Sequence, residues 1–432
     1  MSRTAPSVGF ITLGCPKNEV DTDRMRAAVA ASDFRLAEDP ETADVVVVNT
    51  CSFIEAATQE SIDTVLELAA VSRDARQVVV AGCMPSRYGA DLAEAMPEAG
   101  AFLPVIEESA LLDVLERLTG FSAGEIAEKC AARTSSGPSA YLQISDGCHR
   151  SCAYCTIPAI RGPYRSRPIA DIVAEAAELV RLGAAEIVLI GQDTTAWGLD
   201  LPGVERLADV VDAVARVEGV RWLRIMYAQP DGIDDRLLDA MARHPDVCHY
   251  LDMPLQHASK PVLRAMRRSG DAGEYLRLVA RIRAAMPDVA LRTTLIAGFP
   301  GETASDVAAL EEFLRAARFD YVGVFVFSPE EGTAAASMEG QVPLRTRRAR
   351  AQRLRDLADT IGFEKASARV GDTLEVLVEG IDEDEGAVFG RWRGQAPEID
   401  GVVMLDSGAA GEIVSASIVD SLGYDLEGEV RR

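Results

Sequence analysis

The sequence predicts an α/β protein in three successive parts: a doubly wound α/β domain over residues 1–125, an incomplete barrel of six βα repeats over 134–365, and a small antiparallel β-barrel over 366–432. Three observations predict it. Apolar runs of about five residues alternate with helical stretches through the first part. The same alternation returns six times after a small, polar, proline-bearing stretch, TSSGPSA at 134–140. Beyond Ala366 helical patterning gives way to short strands bounded by glycine and aspartate.

In order, the first part reads as strand GFITL, a polar helix near Asp21 to Ala31, strand DVVVVN, a helix near Glu55 to Val71, and strand QVVVAG. The second offers six strands: YLQIS, EIVLI, WLRIM, HYLDM, ALRTTLI and YVGVFVF. Helical segments such as IADIVAEAAELVRL and RLADVVDAVARV separate them, and repeated βα units curl into a barrel whose chemistry sits at the strand ends. PLRTRRARAQRLRDLADTIGFEKASA then reads as a long arginine-rich helix leading away from the barrel, its charge either a solvated face or a nucleic-acid contact. VGDTLEVLVEG, GAVFGRW, GVVMLD and GEIVSASIVDSL supply the strands of the third part.

Composition narrows the function classes. No apolar run approaches the ~18 residues of a membrane span, and the amino terminus, MSRTAPSVGF, has no long apolar segment. The expectation is a cytoplasmic protein with no membrane partner, in which thiols stay reduced. Eight cysteines in that setting point to metal or catalysis. The net charge of -24 repels phosphate backbones, so nucleic acid is not the expected substrate, whereas a basic protein partner is easily accommodated.

Three strands of the first part end alike: GFITLGC at Cys15, VVVVNTC at Cys51 and QVVVAGC at Cys83. In an open α/β sheet the carboxyl ends of the strands form the ligand crevice, so these thiols can converge on a metal or cluster. Unrelated core thiols are the alternative, and for Cys130 and Cys248, which fall in no motif, a structural role is the expectation.

After the first barrel strand comes SDGCHRSCAYCTIP, with Cys148, Cys152 and Cys155 on one tight loop. Three thiolates so placed can hold three irons of a cubane cluster and leave the fourth open. Zinc usually takes a fourth protein ligand, and His149 is too near Cys148 to complete a tetrahedron. A redox pair of Cys152 and Cys155 would leave Cys148 unexplained.

CxxxCxxC with Tyr154 before its last cysteine, at the end of the first strand of a βα barrel, resembles the radical S-adenosylmethionine (SAM) enzymes, whose fold is a partial (βα)6 TIM-like barrel. The resemblance implies SAM chelated by the open iron of a 4Fe-4S cluster and cleaved by one electron from an electron donor protein. TTLIAGFPGE looks like that family's adenine-approaching segment, with Gly298 as the permissive residue and Glu302 nearby. GQDTT and PLQH put Gln192, Asp193 and Gln256 at the same mouth, where they would hold SAM or only cap loops.

The order of parts resembles the methylthiotransferases, which place an α/β domain with a second cluster before the radical SAM domain and a small β domain, TRAM, after it. By that resemblance Cys15, Cys51 and Cys83 ligate an auxiliary 4Fe-4S cluster whose open iron holds the sulfur to be delivered. LGCPKNEVD, IGQDTTAWG, YLDMPLQHAS, FSPEEGT and RGQAPEIDG are similar to the branch that methylthiolates the β-carbon of an aspartate in small-subunit ribosomal protein twelve. One SAM would then methylate the held sulfur, and a second would yield the radical that abstracts the β-hydrogen.

Charge agrees with that branch: from Ala366 to Arg432 there are 5 arginines, no lysine and 15 acidic residues, and such a surface steers a basic ribosomal protein, free or in a ribosomal particle. Two alternatives stand: methylthiolation of adenosine in transfer RNA, which the arginine-rich helix would favour, and a non-catalytic iron-sulfur or RNA-binding protein. Arg161, Arg165 and Arg167, just past the cluster loop, are expected either to neutralise substrate carboxylates or to lie in a solvated loop.

Overall fold

Four consecutive valines, Val45 to Val48, expose none of their surface, and their alternation divides them between two cores. Val45 and Val47 pack with Met25, Val29 and Leu115; Val46 and Val48 pack with Val65, Leu68 and Met84. A strand apolar on both faces needs helices on both, since successive side chains point to opposite sides of a sheet.

The computed structural model describes residues 4–71, 77–124, 133–134, 137–382 and 386–431; Cys130 and part of the 134–140 stretch lie outside them. They fall into two compact units, one within Met1–Ser135, Asp146–Arg150 and Cys155–Arg165, the other within Ser136–Ser145, Ser151–Tyr154 and Ser166–Arg432. Among the described residues no helix is long and apolar enough to cross a membrane.

In the first unit β1 (Ser7–Thr12), β2 (Arg35–Leu36), β3 (Val45–Thr50), β4 (Gln77–Gly82) and β5 (Ala101–Pro104) form a parallel sheet in the order β2-β1-β3-β4-β5. Helices α1 (Pro16–Ala30), α2 (Glu55–Val71), α3 (Cys83–Tyr88), α4 (Ala90–Ala95) and α5 (Leu111–Thr119) accompany it. The order reverses between β1 and β3, the switch point where open sheets bind ligands. Helix α1 begins at Pro16 rather than near Asp21, because proline fits the first helical position.

Strands β7 (Ser145–Asp146) and β8 (Arg165–Ser166) are two residues long, and the short α6 (Ile157–Arg161) belongs to the first unit. In the second unit β6 (Ser139–Gln143) is followed by β9 (Glu186–Ile190), β10 (Trp222–Ile225), β11 (Val247–Gln256), β12 (Ala290–Ala297) and β13 (Tyr321–Val326). Strand pairing runs β13-β12-β11-β10-β9-β6, parallel throughout and without a bond closing the ends, so the barrel is incomplete as expected. Helices α7 (Ile169–Arg181), α8 (Leu207–Val214), α9 (Asp235–Arg243), α10 (Lys260–Ala265), α11 (Ala272–Ala285) and α12 (Ala304–Ala317) lie in the connections.

The arginine-rich helix, α13 (Leu344–Ser367), does not lead away from the barrel. Ala351, Leu354 and Ile361 are buried in the barrel's core. Arg355 donates to Val324 O of the edge strand β13, and Arg350 and Arg353 pair with Glu302 and Glu311. Arginine stems cover apolar surface while their heads find internal acceptors, so much of the charge run is spent inside the unit.

Strands β14 (Thr373–Ile381), β15 (Val388–Trp392), β16 (Val403–Leu405), β17 (Ile413–Leu422) and β18 (Asp425–Val430) close a barrel in the order β14-β15-β16-β18-β17. Its pairings are antiparallel except β16 with β18. Arg391 of β15 reaches the buried Glu186 of β9, and Asp400, in the loop before β16, accepts from Tyr250 Oη at 2.6 Å and faces Arg292 at 3.3 Å. The small barrel and the large one are thereby joined through buried charge pairs.

Candidate functional site

Cys15 stands at the N-cap of α1, Cys51 directly after β3, and Cys83 is the first residue of α3 directly after β4. Parallel register sets Thr12 beside Asn49 and Thr50 beside Gly82, so the three strands end at one level. Cys15 and Cys83 face one side chain there. Asn18 Oδ1 lies 3.8 Å from Cys15 Sγ and 3.7 Å from Cys83 Sγ. Gly14 has φ +102°, and a Cβ on it would fall 2.5 Å from Cys51 Cβ and 2.9 Å from its Sγ; the missing side chain is what lets Cys51 lie against the Cys15 loop.

Electrostatics make this a poor place for bare thiolates at Cys51 and Cys83. Burial pushes the Cys83 thiol up to about 12, Arg161 opposing and the neighbouring Cys51 and Cys15 adding to it; burial likewise raises Cys51. A bound cationic group reverses that balance, since a coordinating thiol is deprotonated outright. As placed, no three His, Cys, Asp or Glu side chains among the described residues close on a single metal ion. The fit to an iron-sulfur group rests on the soft donor set, with Cys15 and Cys83 flanking Asn18 Oδ1 and Cys51 lying against Gly14.

Arg161, at the end of α6, is buried in the same unit. Its guanidinium donates to Asp21 Oδ2 at 2.7 Å and Asn18 Oδ1 at 3.0 Å, with Asp146 Oδ1 at 3.3 Å. It is therefore engaged by the protein's own carboxylates, which corrects the expectation of a substrate-neutralising or solvated residue. Arg167 likewise pairs with Glu175 at 2.7 Å, while Arg165 is exposed.

On the second cysteine loop Cys148 and Cys155 belong to the first unit and Cys152 to the second. All three are partly exposed, unlike Cys51 and Cys83. Cys148 Sγ accepts from Arg150 N at 3.4 Å, and Cys152 Sγ lies 3.8 Å from Arg268, which also donates to Gln229 Oε1 and Pro254 O, each at 2.7 Å. Ala153 N donates to Met266 O and its carbonyl accepts from Ala335 N at 2.8 Å, fixing the loop's middle. The Tyr154 ring stands edge-on to Phe299, centroids 6.5 Å apart. Cys248 is wholly buried and pushed by burial to about 11, a packed thiol as expected.

The remaining candidates of the second unit follow or end barrel strands. Gln192 and Asp193 follow β9, and Asp193 is buried, accepting from Thr195 Oγ1 at 2.7 Å and Ala196 N at 3.2 Å, the bonding of a loop cap. Gln256 ends β11 at φ +69°. Gly298 follows β12 at φ +82°, and a Cβ there would meet Arg347 Cγ at 2.3 Å, so the glycine admits α13 rather than leaving bare backbone on that side. Glu302 is buried, accepting from Gly298 N at 2.9 Å and from Arg350 at 2.8 Å.

Sequence reading missed three residues. Asn18 lies inside the quoted LGCPKNEVD, but only folding shows that its amide meets the strand ends. Arg268, in a plain MRRSG stretch, carries no local signal. His257, fully buried, accepts at Nδ1 from Ala258 N and Ser259 N, both at 2.9 Å, which leaves the proton on Nε2, 3.4 Å from Glu302 Oε2.

Three family models match in order: Uncharacterized protein family UPF0004 over residues 7–103, the Radical SAM superfamily over 142–314 and the TRAM domain over 370–430. Among solved structures the chain is similar in fold to the radical SAM methyltransferase TsrM of Kitasatospora setae, at TM-score 0.56 and 14% identity, covering 86% of this chain and 77% of that one. It is thus a radical SAM enzyme with a preceding α/β domain and a following TRAM barrel, using SAM and 4Fe-4S clusters. The ribosomal protein uS12 methylthiotransferase RimO of Anaeromyxobacter sp. (strain Fw109-5) is 45% identical over 97% of this chain and 92% of its own, and that of Geobacter sulfurreducens is 42% identical over 100% of both. The chain belongs to the RimO family of methylthiotransferases.

Proposed function

We propose that this chain adds a methylthio group to the β-carbon of an aspartate in ribosomal protein uS12, with Cys148, Cys152 and Cys155 holding the SAM-cleaving 4Fe-4S cluster and Cys15, Cys51 and Cys83 holding the auxiliary one. The observation that carries the reading is the occurrence, in one chain, of a CxxxCxxC loop and three strand-end cysteines, two of them flanking Asn18 Oδ1 and the third lying against Gly14. The clusters supply one-electron chemistry and a mount for sulfur. The protein's own residues supply placement.

Arg268 sets a fixed cation beside Cys152, and Ala153 is pinned on both sides, so the ligand loop keeps its shape. Gln192, Gln256 and the Gly298 segment, at strand ends, are the groups to orient SAM, with Tyr154 nearby and Asp193 stabilising its loop. Glu302, tied to Gly298 N and Arg350 with His257 Nε2 3.4 Å away, holds the Gly298 turn. An electron donor protein supplies the reductant. The substrate is basic and meets an acidic C-terminal barrel; Arg350, Arg353 and Arg355 of α13 are occupied internally, which removes much of what favoured transfer RNA.

The test incubates anaerobically reconstituted, reduced chain with SAM and either uS12 or transfer RNA and weighs the products. Gain of CH2S on uS12 is expected; gain on RNA alone overturns the proposal.

A further inference from the structure

Asn18 exposes no surface, and both ends of its side chain are committed. Nδ2 donates to Leu13 O at 2.8 Å and Thr50 O at 3.0 Å, the backbone just before Cys15 and Cys51, while Oδ1 faces the sulfurs of Cys15 and Cys83. One amide therefore touches the chain at the ends of β1, β3 and β4. Its orientation is set by its neighbours, because the flipped amide would turn oxygen toward two carbonyls. Asn49 of β3 locks it further, donating to Asn18 O at 2.9 Å.

A carboxamide oxygen aimed at sulfurs that become anionic on binding a cluster is unfavourable unless a positive charge compensates. Arg161 provides one on that very oxygen, at 3.0 Å, with its side chain 1% exposed and held by Asp21. Guanidinium does not lose its proton in proteins, and screening is weak away from water.

We propose that Asn18 and Arg161 form a fixed polar strut under the three strand-end cysteines, Asn18 holding the thiols in register and Arg161 setting the charge around the iron-sulfur group they bind. The inference rests on reading Cys15, Cys51 and Cys83 as its ligands. Both are positioning residues. Charge and hydrogen bonding near the sulfurs tune the potential of such a group, so losing the arginine's charge disfavours the reduced, more negative state.

The test uses the full chain carrying Cys148→Ala, Cys152→Ala and Cys155→Ala, so that iron loads only the N-terminal site, and reads iron content and midpoint potential by EPR-monitored titration. Arg161→Gln is expected to keep the parent's iron and move the potential lower, while Arg161→Lys, which keeps the charge, stays near the parent. Equal potentials in all three overturn the strut, as does a lysine variant that shifts as far as glutamine. If Arg161→Gln takes up no iron, the lysine variant decides: full iron at the parent's potential supports the strut, and loss of iron overturns it. A parent that binds no iron with Arg161 intact overturns the ligand reading itself, and the strut with it.

Discussion

Glu186 and Arg224 meet at 2.7 Å on neighbouring strands of the large barrel, and neither side chain has any exposed surface. Burial would raise the carboxyl's pKa, but Arg224 and Arg391 outweigh it and hold Glu186 at about 2. A depressed acid contributes stability that is fully present above its unfolded value, about 4.5, and lost as pH falls toward 2. Glu186→Gln should therefore destabilise the second unit by roughly 3 kcal/mol at pH 7, because it leaves two buried guanidiniums short of a counter-charge. Urea unfolding followed by tryptophan fluorescence, with Trp222 wholly buried as a reporter, checks this. The gap between the proteins should hold from pH 7 to 5 and narrow below 4.5; a constant gap down to pH 3 refutes it.

Glu108 presents the opposite case. Burial, then the nearby Asp21, push its carboxyl to about 9, and its Oε1 has no hydrogen-bond partner among the described residues. Here the folded state keeps a proton that the unfolded chain releases, so stability is lost as pH rises between about 4.5 and 9. Glu108→Gln, which cannot ionise, should match the native chain at pH 4.5 and exceed it by about 1–3 kcal/mol at pH 8. Circular dichroism during urea unfolding of iron-free protein measures the difference. A variant less stable at pH 8 would show that the carboxylate is paired after all.

Much of this was legible before folding. The valine run of β3 pointed to a strand covered on both faces, and three thiols at strand ends pointed to one edge of a parallel sheet. Legibility failed where charge went inside. Arg224, in the apolar strand WLRI, and Arg391, in GAVFGRW, look like solvent-facing residues, yet each is buried against Glu186 because the small barrel docks through them. The arginine run of α13 read as a solvated or RNA-facing stripe for the same reason: composition records charge, and only packing records what the charge meets. Strand β18 escaped notice because DLEGEV is acidic; its partners β16 and β17, not its own pattern, make it a strand.

Gly298 sits at φ +82° under Arg347, whose Cα would lie 3.0 Å from an added Cβ. Gly298→Ala thus combines a left-handed backbone with a clash against helix backbone, and should cost about 2 kcal/mol or more. Arg347→Ala in the same chain removes Cγ but neither Cα nor the backbone strain, so it should restore only part of the loss. Full restoration in a double-mutant cycle would mean that the arginine side chain alone demands the glycine.

Cys83 and Cys152 should separate the two proposed clusters. Cys83 is buried at the end of β4 within reach of Asn18, whereas Cys152 is partly exposed beside Arg268 on the CxxxCxxC loop. Each alanine substitution should remove about half of the iron of reconstituted protein, because three thiolates per cluster leave no spare ligand. Their effects on chemistry should differ. Cys152→Ala should abolish reductant-dependent formation of 5′-deoxyadenosine, since cleavage of SAM needs the loop cluster. Cys83→Ala should retain that product while losing methylthiolated uS12, the sulfur mount being gone. Chromatography of deoxyadenosine beside mass spectrometry of uS12 reads both at once. Loss of deoxyadenosine in Cys83→Ala with the loop cluster's iron intact would place Cys83 in SAM cleavage and end the division of labour proposed for the two sets of cysteines.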